Sequence, residues 1–243
     1  MPRADLHIHT RVSDGLASVE RTIDHIEHET ALDLVAITDH EDSRGGQRAR
    51  EYAARRGYRV EVVVGAEITT MQGHLLALFI GDAPKSFRGI EATIEAIHRK
   101  GGLAVIPHPM SWLTRSLSRR TIERVMAANE HGISFDAIEL ANPSPAGKVT
   151  RAKATAANKR WALPALGSSD AHHLPHIGTG WTEFDEPGGA GLLAAIRSGT
   201  TRPGMTRYPA AREVGYGNLA LGLAWGYSAT PRKMLRPLLG SGR

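Results

Sequence analysis

Cysteine is absent from all 243 residues, so the chain can form no disulfide, no thiolate metal ligand and no cysteine nucleophile. Any metal must be held by imidazole and carboxylate, which excludes zinc-finger and Fe–S architectures. Long apolar runs are also missing. The longest, around Leu219 to Trp225, is far shorter than a membrane span and contains glycine. Met1 to Asp5 contain no apolar signal region, so a cytoplasmic protein without a transmembrane segment is expected. Low-complexity blocks and internal repeats are lacking too.

What is present is ordinary for a globular protein, with 41% hydrophobic and 23% charged residues. The length suits one α/β barrel and requires no second core. Residues 201–243 hold seven Arg or Lys against one Glu, so the formal charge of +5 belongs to this tail. The expected organisation is therefore a barrel over 1–200 followed by a basic extension over 201–243, which is rich in Gly, Pro and Arg.

Short apolar runs read as strands at Ala4–His9, Leu34–Thr38, Val60–Val64, Leu75–Ile80, Leu103–Ile106, Ala137–Leu140 and Ala165–Gly167. Most do not alternate, as expected of strands covered on both faces. Val19, Ile23 and Ile26 follow a Ser18 cap at helical spacing, and Ile90, Ile94 and Ile97 repeat it before Gly101-Gly102. Further helices are expected over Arg120–His131 and Lys148–Trp161. Alternating strands and helices predict a largely parallel sheet, closed or open. Ile177 to Phe184 read as a closing strand, followed by a helix through Leu192, Leu193 and Ile196.

Side chains with metal affinity recur where these strands end. His7 and His9, one residue apart on a strand, point the same way and can close on one ion. Asp39 and His40 end the second strand, Glu67 follows the third, His108 ends a later one, and Asp170 and His172 follow the last. In parallel barrels the chemistry sits at these ends, so a polynuclear metal site is the leading reading. Glu139, at another strand end, reads as an outer partner, and Asp39 as a loop-capping or outer group. His25, His28, His98 and His131 lie in helical patterns and read as surface residues, while His173 and His176 read as exposed or mouth-lining.

Four blocks carry a resemblance to a known family: Asp5-Leu6-His7-Ile8-His9-Thr10 with Ser13-Asp14-Gly15; Ile37-Thr38-Asp39-His40; Gly65-Ala66-Glu67-Ile68 with His74; and Ile106-Pro107-His108-Pro109 followed by Gly167-Ser168-Ser169-Asp170-Ala171-His172. In order and context they resemble the polymerase and histidinol phosphatase (PHP) domains. The resemblance implies a distorted (β/α)7 TIM-like barrel, a single domain with two or three divalent metals at its C-terminal mouth. His7, His9, Glu67 and Asp170 would hold the first. Glu67 would bridge to a second, held also by His74 and His108, and Asp14, His40 and His172 would hold a third. Glu67, Asp170 and His108 would be the catalytic centre.

Adjacent divalent cations lower the pKa of a bridging water and neutralise phosphoryl charge, so phosphoester hydrolysis is the natural reaction of such a donor set. The mixed ligands suit Mn, Zn or Fe. The expected partner is a small phosphorylated substrate, a phosphomonoester or nucleotide-type molecule, whose phosphate Arg44, Arg115 and Arg119 could capture, with Ser111 and Trp112 shaping the entrance. Nucleic acid is a partner that the barrel itself does not indicate, and the sequence leaves oligomeric state open.

Asp14 and the spacing from Glu67 to His74 resemble PHP enzymes acting on small nucleotides and nucleotide ends, many of which carry a helical cap. Only 34 positions separate His74 from His108 here, too few for that cap, so a more open site is expected. Two alternatives stand beside the phosphoesterase: a non-catalytic binding module with structural metals, and a metal-dependent hydrolase of amides or cyclic esters. The extension reads either as a surface segment packing Leu219, Leu221 and Trp225 on the barrel or a second subunit, or as a polyanion or membrane contact through Arg232, Lys233 and Arg236. The Gly222 to Gly226 spacing reads as coincidental.

Overall fold

The computed structural model describes residues 1–128, 132–217, 219–222 and 224–225. In chain order the elements are β1 (Arg3–Ile8), α1 (Val19–Glu29), β2 (Leu34–Ile37), α2 (Arg44–Arg56), β3 (Glu61–Thr69), β4 (His74–Leu78), α3 (Ile90–Arg99) and β5 (Leu103–Ile106). There follow α4 (Arg119–Ala128), β6 (Ala137–Ala141), α5 (Pro145–Lys148), α6 (Arg151–Trp161), β7 (Ala165–Gly167), β8 (Gly180–Glu183), α7 (Gly188–Ser198), β9 (Arg202–Met205) and α8 (Ala211–Val214). They form the expected α/β fold, a distorted TIM-like barrel made from one sheet in the order β7-β6-β5-β4-β3-β2-β1-β8-β9.

The sheet is mixed and not largely parallel. β4 runs antiparallel to both β3 and β5, and β8 runs antiparallel to β1 and β9. The cause of the first reversal is local. Thr70 closes a tight turn onto the Gly73 carbonyl through both its N–H and its hydroxyl, leaving no room for the helical crossover that a parallel partner needs. Gly73, with φ 149°, lies so close to Ser116 and Leu117 that a Cβ would sit 2.6 Å from the Ser116 carbonyl carbon.

Strand parity separates the interior from the helical shell. Ala4, Leu6, Leu34, Ala36, Val63, Leu76, Leu78, Leu103, Val105 and Phe184 pack inside with Leu192 and Ile196 of α7. Val35, Ile37, Ile8, Ile23 and Ile26 pack outside beneath α1 and α2. Leu6 is thus inside and Ile8 outside, although two residues apart. The register of β1 on β2 shifts between Asp5 and Ile8, and this irregularity switches the face so that His7 and His9 continue the interior side.

The barrel closes at its mouth where the chain beyond β7 meets β1, through His9 N–H to the Ala171 carbonyl at 2.9 Å and Ala171 N–H to the His7 carbonyl at 3.2 Å. Lower down, Thr182 of β8 bridges to β7, donating to the Gly167 carbonyl at 2.9 Å and accepting from its N–H at 3.0 Å. β9 extends the sheet to Met205, inside the segment that composition sets apart as an extension. Trp225, farther along, lines one cavity with Leu16 and has its ring centroid 5.7 Å from the Arg11 guanidinium, whereas Leu221 is 63% exposed. His131, Gly226, Arg232, Lys233 and Arg236 lie outside the described residues.

Glycine is required where the closing strands approach. A Cβ on Gly180 would sit 2.2 Å from the Ser168 carbonyl oxygen and 2.9 Å from that of Ala141, both backbone atoms that cannot yield cheaply. Gly180→Ala is expected to cost about 1–3 kcal/mol, read as a lower urea midpoint at unchanged slope. An unshifted midpoint would contradict this closure.

Candidate metal centre

Every sequence-predicted metal ligand reaches the mouth, and the strand directions explain how. His7 and His9 end β1, and His40 follows β2 in a bridge to Glu67. Glu67 shares the inward parity of Val63 near the end of β3. His74 opens β4, but β4 is reversed, so its first residue pairs with Thr69 at the mouth. Its position at a strand start therefore fits a mouth residue. His108 and Asp170 follow β5 and β7 with φ of 27° and 55°, backbone conformations that turn each side chain back over the barrel.

Glu67 is the hub. Its Oε2 lies 3.3 Å from His7 Nε2, 3.3 Å from His9 Nε2 and 3.4 Å from His40 Nδ1. Its Oε1 lies 2.8 Å from His74 Nδ1 and 3.1 Å from His108 Nε2. The two oxygens thus face different imidazoles. Asp170 Oδ1 stands 3.5 Å from His7 Nε2 and 3.6 Å from His9 Nε2. Asp14 Oδ2 stands 3.4 Å from His40 Nε2 and 3.3 Å from His172 Nε2, and Asp14 Oδ1 stands 3.5 Å from His9 Nδ1. Four groups drawn from these nine residues each bring one ligand atom per residue within 4.8 Å of the others.

The residues fit divalent cations. His9 is 3% exposed, and neither of its ring nitrogens makes a hydrogen bond to the described residues. The same holds for His74 Nδ1, despite carboxylate oxygens within reach. Buried imidazole nitrogens aimed at carboxylates without hydrogen-bond geometry are the donors that an interposed cation takes up.

Charge balance tells the same story. Burial raises the pKa of a carboxyl group, yet the surrounding imidazoles win and hold Glu67, Asp14 and Asp170 well below the usual carboxylate range. Burial also disfavours imidazolium, but Asp14 overrides it and pushes His172 up to about 10, and Asp170, Glu67 and Glu139 raise His7. The mouth is a set of interlocked opposite charges, buried around His7, His9 and Glu67 and partly exposed around Asp14, His40 and His172.

A second ring of side chains orients the donors. Glu139 accepts from the His108 N–H and from Asn142 Nδ2, both at 2.7 Å, and bonds the Ser168 hydroxyl and His7 Nδ1, the latter at 3.1 Å. This is the outer-partner role read from the sequence. Asp39 likewise caps the β1 loop, accepting from the N–H and hydroxyl groups of Thr10 and Ser13. Ser116, 2.7 Å from His108 Nδ1, and Ser144, 3.2 Å from Asp170 Oδ2, are supports that the sequence did not reveal. A serine in a loop carries no pattern, whereas Ser168 belongs to the Gly167-Ser168-Ser169-Asp170-Ala171-His172 motif.

The arginines divide. Arg115 sits at the mouth, with Nη2 3.4 Å from the Thr70 carbonyl and its own carbonyl accepting the His74 N–H at 2.8 Å. Arg44 pairs with Asp42 and Arg119 with Glu123 on the exposed side of α4, and neither side chain contacts the cluster. Ser111 is buried and Trp112 is 75% exposed on a loop anchored at His108 and His74. His25, His28 and His98 stay out of the cluster. A cleft of about 680 Å³ between β3, α2 and α7 is lined by none of the nine residues.

His176 is not an exposed loop residue. It is 3% exposed, with its ring stacked on Tyr208 at a centroid distance of 3.9 Å, and burial lowers its pKa to about 4. Between pH 6.5 and 4 the unfolded chain takes up a proton that the folded one refuses. This contribution to stability is therefore complete above 6.5 and is lost as pH falls toward 4. His176→Phe is expected to show a shallower fall of thermal midpoint across that window than the parent. Parallel curves would contradict the assignment.

Residues 150–201 match the model of the PHP-associated family. An uncharacterized protein of Methanocaldococcus jannaschii is 37% identical over 152 residues, covering 58% of this chain and 81% of that protein. The 5′-3′ exoribonuclease Rnm of Salmonella typhimurium is 36% identical over 88 residues, 35% of this chain and 30% of the enzyme. A two-domain protein of Bacteroides vulgatus containing a predicted PHP-like metal-dependent phosphoesterase superposes with TM-score 0.67 at 21% identity. That likeness of fold covers 84% of this chain and 64% of the neighbour, so the chain spans under two thirds of both the exoribonuclease and the Bacteroides protein. The chain belongs to the PHP family. Family and donor cluster together support divalent-metal binding and a metal-dependent hydrolase.

Because Glu139 fixes the orientation of His7, Glu139→Ala is expected to weaken Mn binding roughly 10–100-fold, measured by calorimetric titration of chelator-treated protein. Unchanged affinity would show that Glu139 does not support the ligands.

Proposed function

We propose that this chain is a phosphoesterase that hydrolyses a phosphomonoester or nucleotide-type substrate at a centre of two or three divalent cations. The single observation that carries the reading is the division of Glu67, with Oε1 toward His74 and His108 and Oε2 toward His7, His9 and His40. One carboxylate placed between two imidazole sets is the arrangement that holds two cations side by side.

In this reading His7, His9, Glu67 and Asp170 hold the first cation, Glu67, His74 and His108 the second, and Asp14, His40 and His172 the third. Mn, Zn or Fe suits the donors. When bound, the cations supply Lewis acidity that activates water and neutralises phosphoryl charge. The chain's own part is positioning and field. Glu67, Asp170 and His108 form the catalytic centre, Glu139 and Ser116 keep His7 and His108 in orientation, and the apolar barrel beneath excludes water from below. Arg115 is the arginine placed to meet a phosphate entering the mouth. Arg44 and Arg119, held by carboxylates, would need to leave their partners to assist. The names of the exoribonuclease and of the phosphoesterase neighbour favour a phosphorus–oxygen bond over an amide. No helix among the described residues is long and apolar enough to cross a membrane.

With Mn and a chromogenic phosphomonoester, Glu67→Ala and His7→Ala are each expected to lower kcat about a thousandfold or more, equivalent to roughly 4 kcal/mol of barrier. Equal turnover in parent and variants would assign the activity to a contaminant and overturn the proposal.

A further inference from the structure

One part of the helical shell carries cations without carboxylates. No Asp or Glu occurs from residue 140 to residue 169, a stretch that holds Lys148, Arg151, Lys153, Lys159 and Arg160. Residues 1–200 as a whole are nearly neutral, since the tail accounts for the formal +5, so this excess is local. Packing then turns it outward. Helix α6 buries Ala154, Ala157 and Trp161, which at 3.6 residues per turn leaves the opposite face to the cations, with Ala152, Thr155 and Ala156 exposed between them.

These cations are largely uncommitted. The one ion pair that α6 makes among the described residues joins Arg160 to Glu123 of α4 at 2.7 Å, and Arg119 also holds Glu123, at 2.9 Å. Lys148, Lys153 and Lys159 form no ion pair among the described residues, and Arg151 stands 3.0 Å from Met205 Sδ, a weak acceptor. On α2 and α4, by contrast, Arg44, Arg48 and Arg124 each have a carboxylate partner. An exposed face of one sign, with small residues between its charges, is complementary to a chain of anions.

An aromatic ring stands beside this face. Thr150, which precedes α6, donates its hydroxyl to the Pro109 carbonyl at 2.8 Å and so ties the helix to the loop that carries Trp112, 75% exposed. Unpaired cations beside a bare indole suit a single strand, whose phosphates need positive charge and whose unstacked bases need a π-face. A membrane surface requires a helix face of large apolar side chains, where α6 offers Ala and Thr.

We propose that the exposed face of α5 and α6 is a docking surface for single-stranded nucleic acid, with phosphates on Lys148, Arg151, Lys153 and Lys159 and a base on Trp112. None of these residues belongs to the donor cluster, so the surface is independent of the phosphoesterase reading. Nucleic acid, a partner that the barrel's sequence does not indicate, enters through the way α6 packs.

The test follows fluorescence anisotropy of labelled oligo(U) and oligo(dT) dodecamers, phosphorothioate-linked and blocked at both ends, with the Mn-loaded full chain across a salt series. Four phosphate contacts give an expected slope of log affinity against log salt of about −3, roughly 0.7 per cation. Lys148→Gln/Lys153→Gln/Lys159→Gln should flatten that slope by about 2, while Arg at the same three positions should keep it. Each single Gln variant, flatter by about 0.7, guards against a fold defect in the triple variant. Trp112→Ala should weaken binding about fivefold or more at unchanged slope. Either dodecamer supports the inference, and a preference between them shows whether the 2′-hydroxyl is read. Turnover of the chromogenic phosphomonoester tests the metal centre separately and should be unaltered in the triple variant; if the parent shows none, the salt slopes still decide the surface. A slope that survives the triple substitution, or that moves only with Arg232→Gln/Lys233→Gln/Arg236→Gln in the tail, would overturn the proposal. So would binding abolished by chelator, which would place the strand at the metal centre. Full affinity in Trp112→Ala, or lysine-dependent binding to phosphatidylserine vesicles with none to the dodecamers, would overturn the choice of partner.

Discussion

A carboxylate inside a barrel cannot stay ionised without compensation, since removing one charge from water costs several kcal/mol even after relaxation. Glu67 is 1% exposed and is held ionised by the imidazoles around it. Four of those imidazoles, His7, His9, His74 and His108, are buried as well, so each side of the balance exists only because the other does. Removing one member leaves an uncompensated charge or an unsatisfied ring. Cations taken up among these donors would complete a balance that the side chains already approach.

The barrel is organised around that constraint. Its lower interior is filled by Leu, Val and Phe and closed by α7, while its mouth is filled by His, Asp and Glu. Three local departures from regular structure make the mouth polar. A register shift in β1 turns His7 and His9 inward, the reversal of β4 lifts His74 to the rim, and positive φ at His108 and Asp170 folds their side chains over the opening. Beneath them Glu139 ties β6 to β1 and to the loops after β5 and β7. The dry interior strengthens each of these contacts.

Much of this was legible in the sequence because it depended on strand ends. Apolar runs located strands β1 to β7, and the metal-competent side chains at their ends come together in one cluster. All nine expected ligands converge. What the sequence concealed depends on direction or on contacts without a pattern. The turn at Thr70 to Gly73 is too short for a crossover, yet the β4 run looks the same in either direction. Helix α2 buries only Gly45, Gly46, Ala49 and Ala53, so no apolar period marks it. β9, Arg-Pro-Gly-Met, reads as a loop until it pairs with β8. His176 looked exposed because its covering ring, Tyr208, is distant in sequence. Arg44 and Arg119 follow ligand blocks in sequence, but nearby carboxylates claim them first.

The central claim, that Glu67 joins two cation sites, is tested most directly by counting metal. Elemental analysis of Mn-saturated protein, paired with Glu67→Ala, should give two or three ions per chain in the parent and at least two fewer in the variant. A parent that holds at most one ion, or a variant that loses none, would contradict the account.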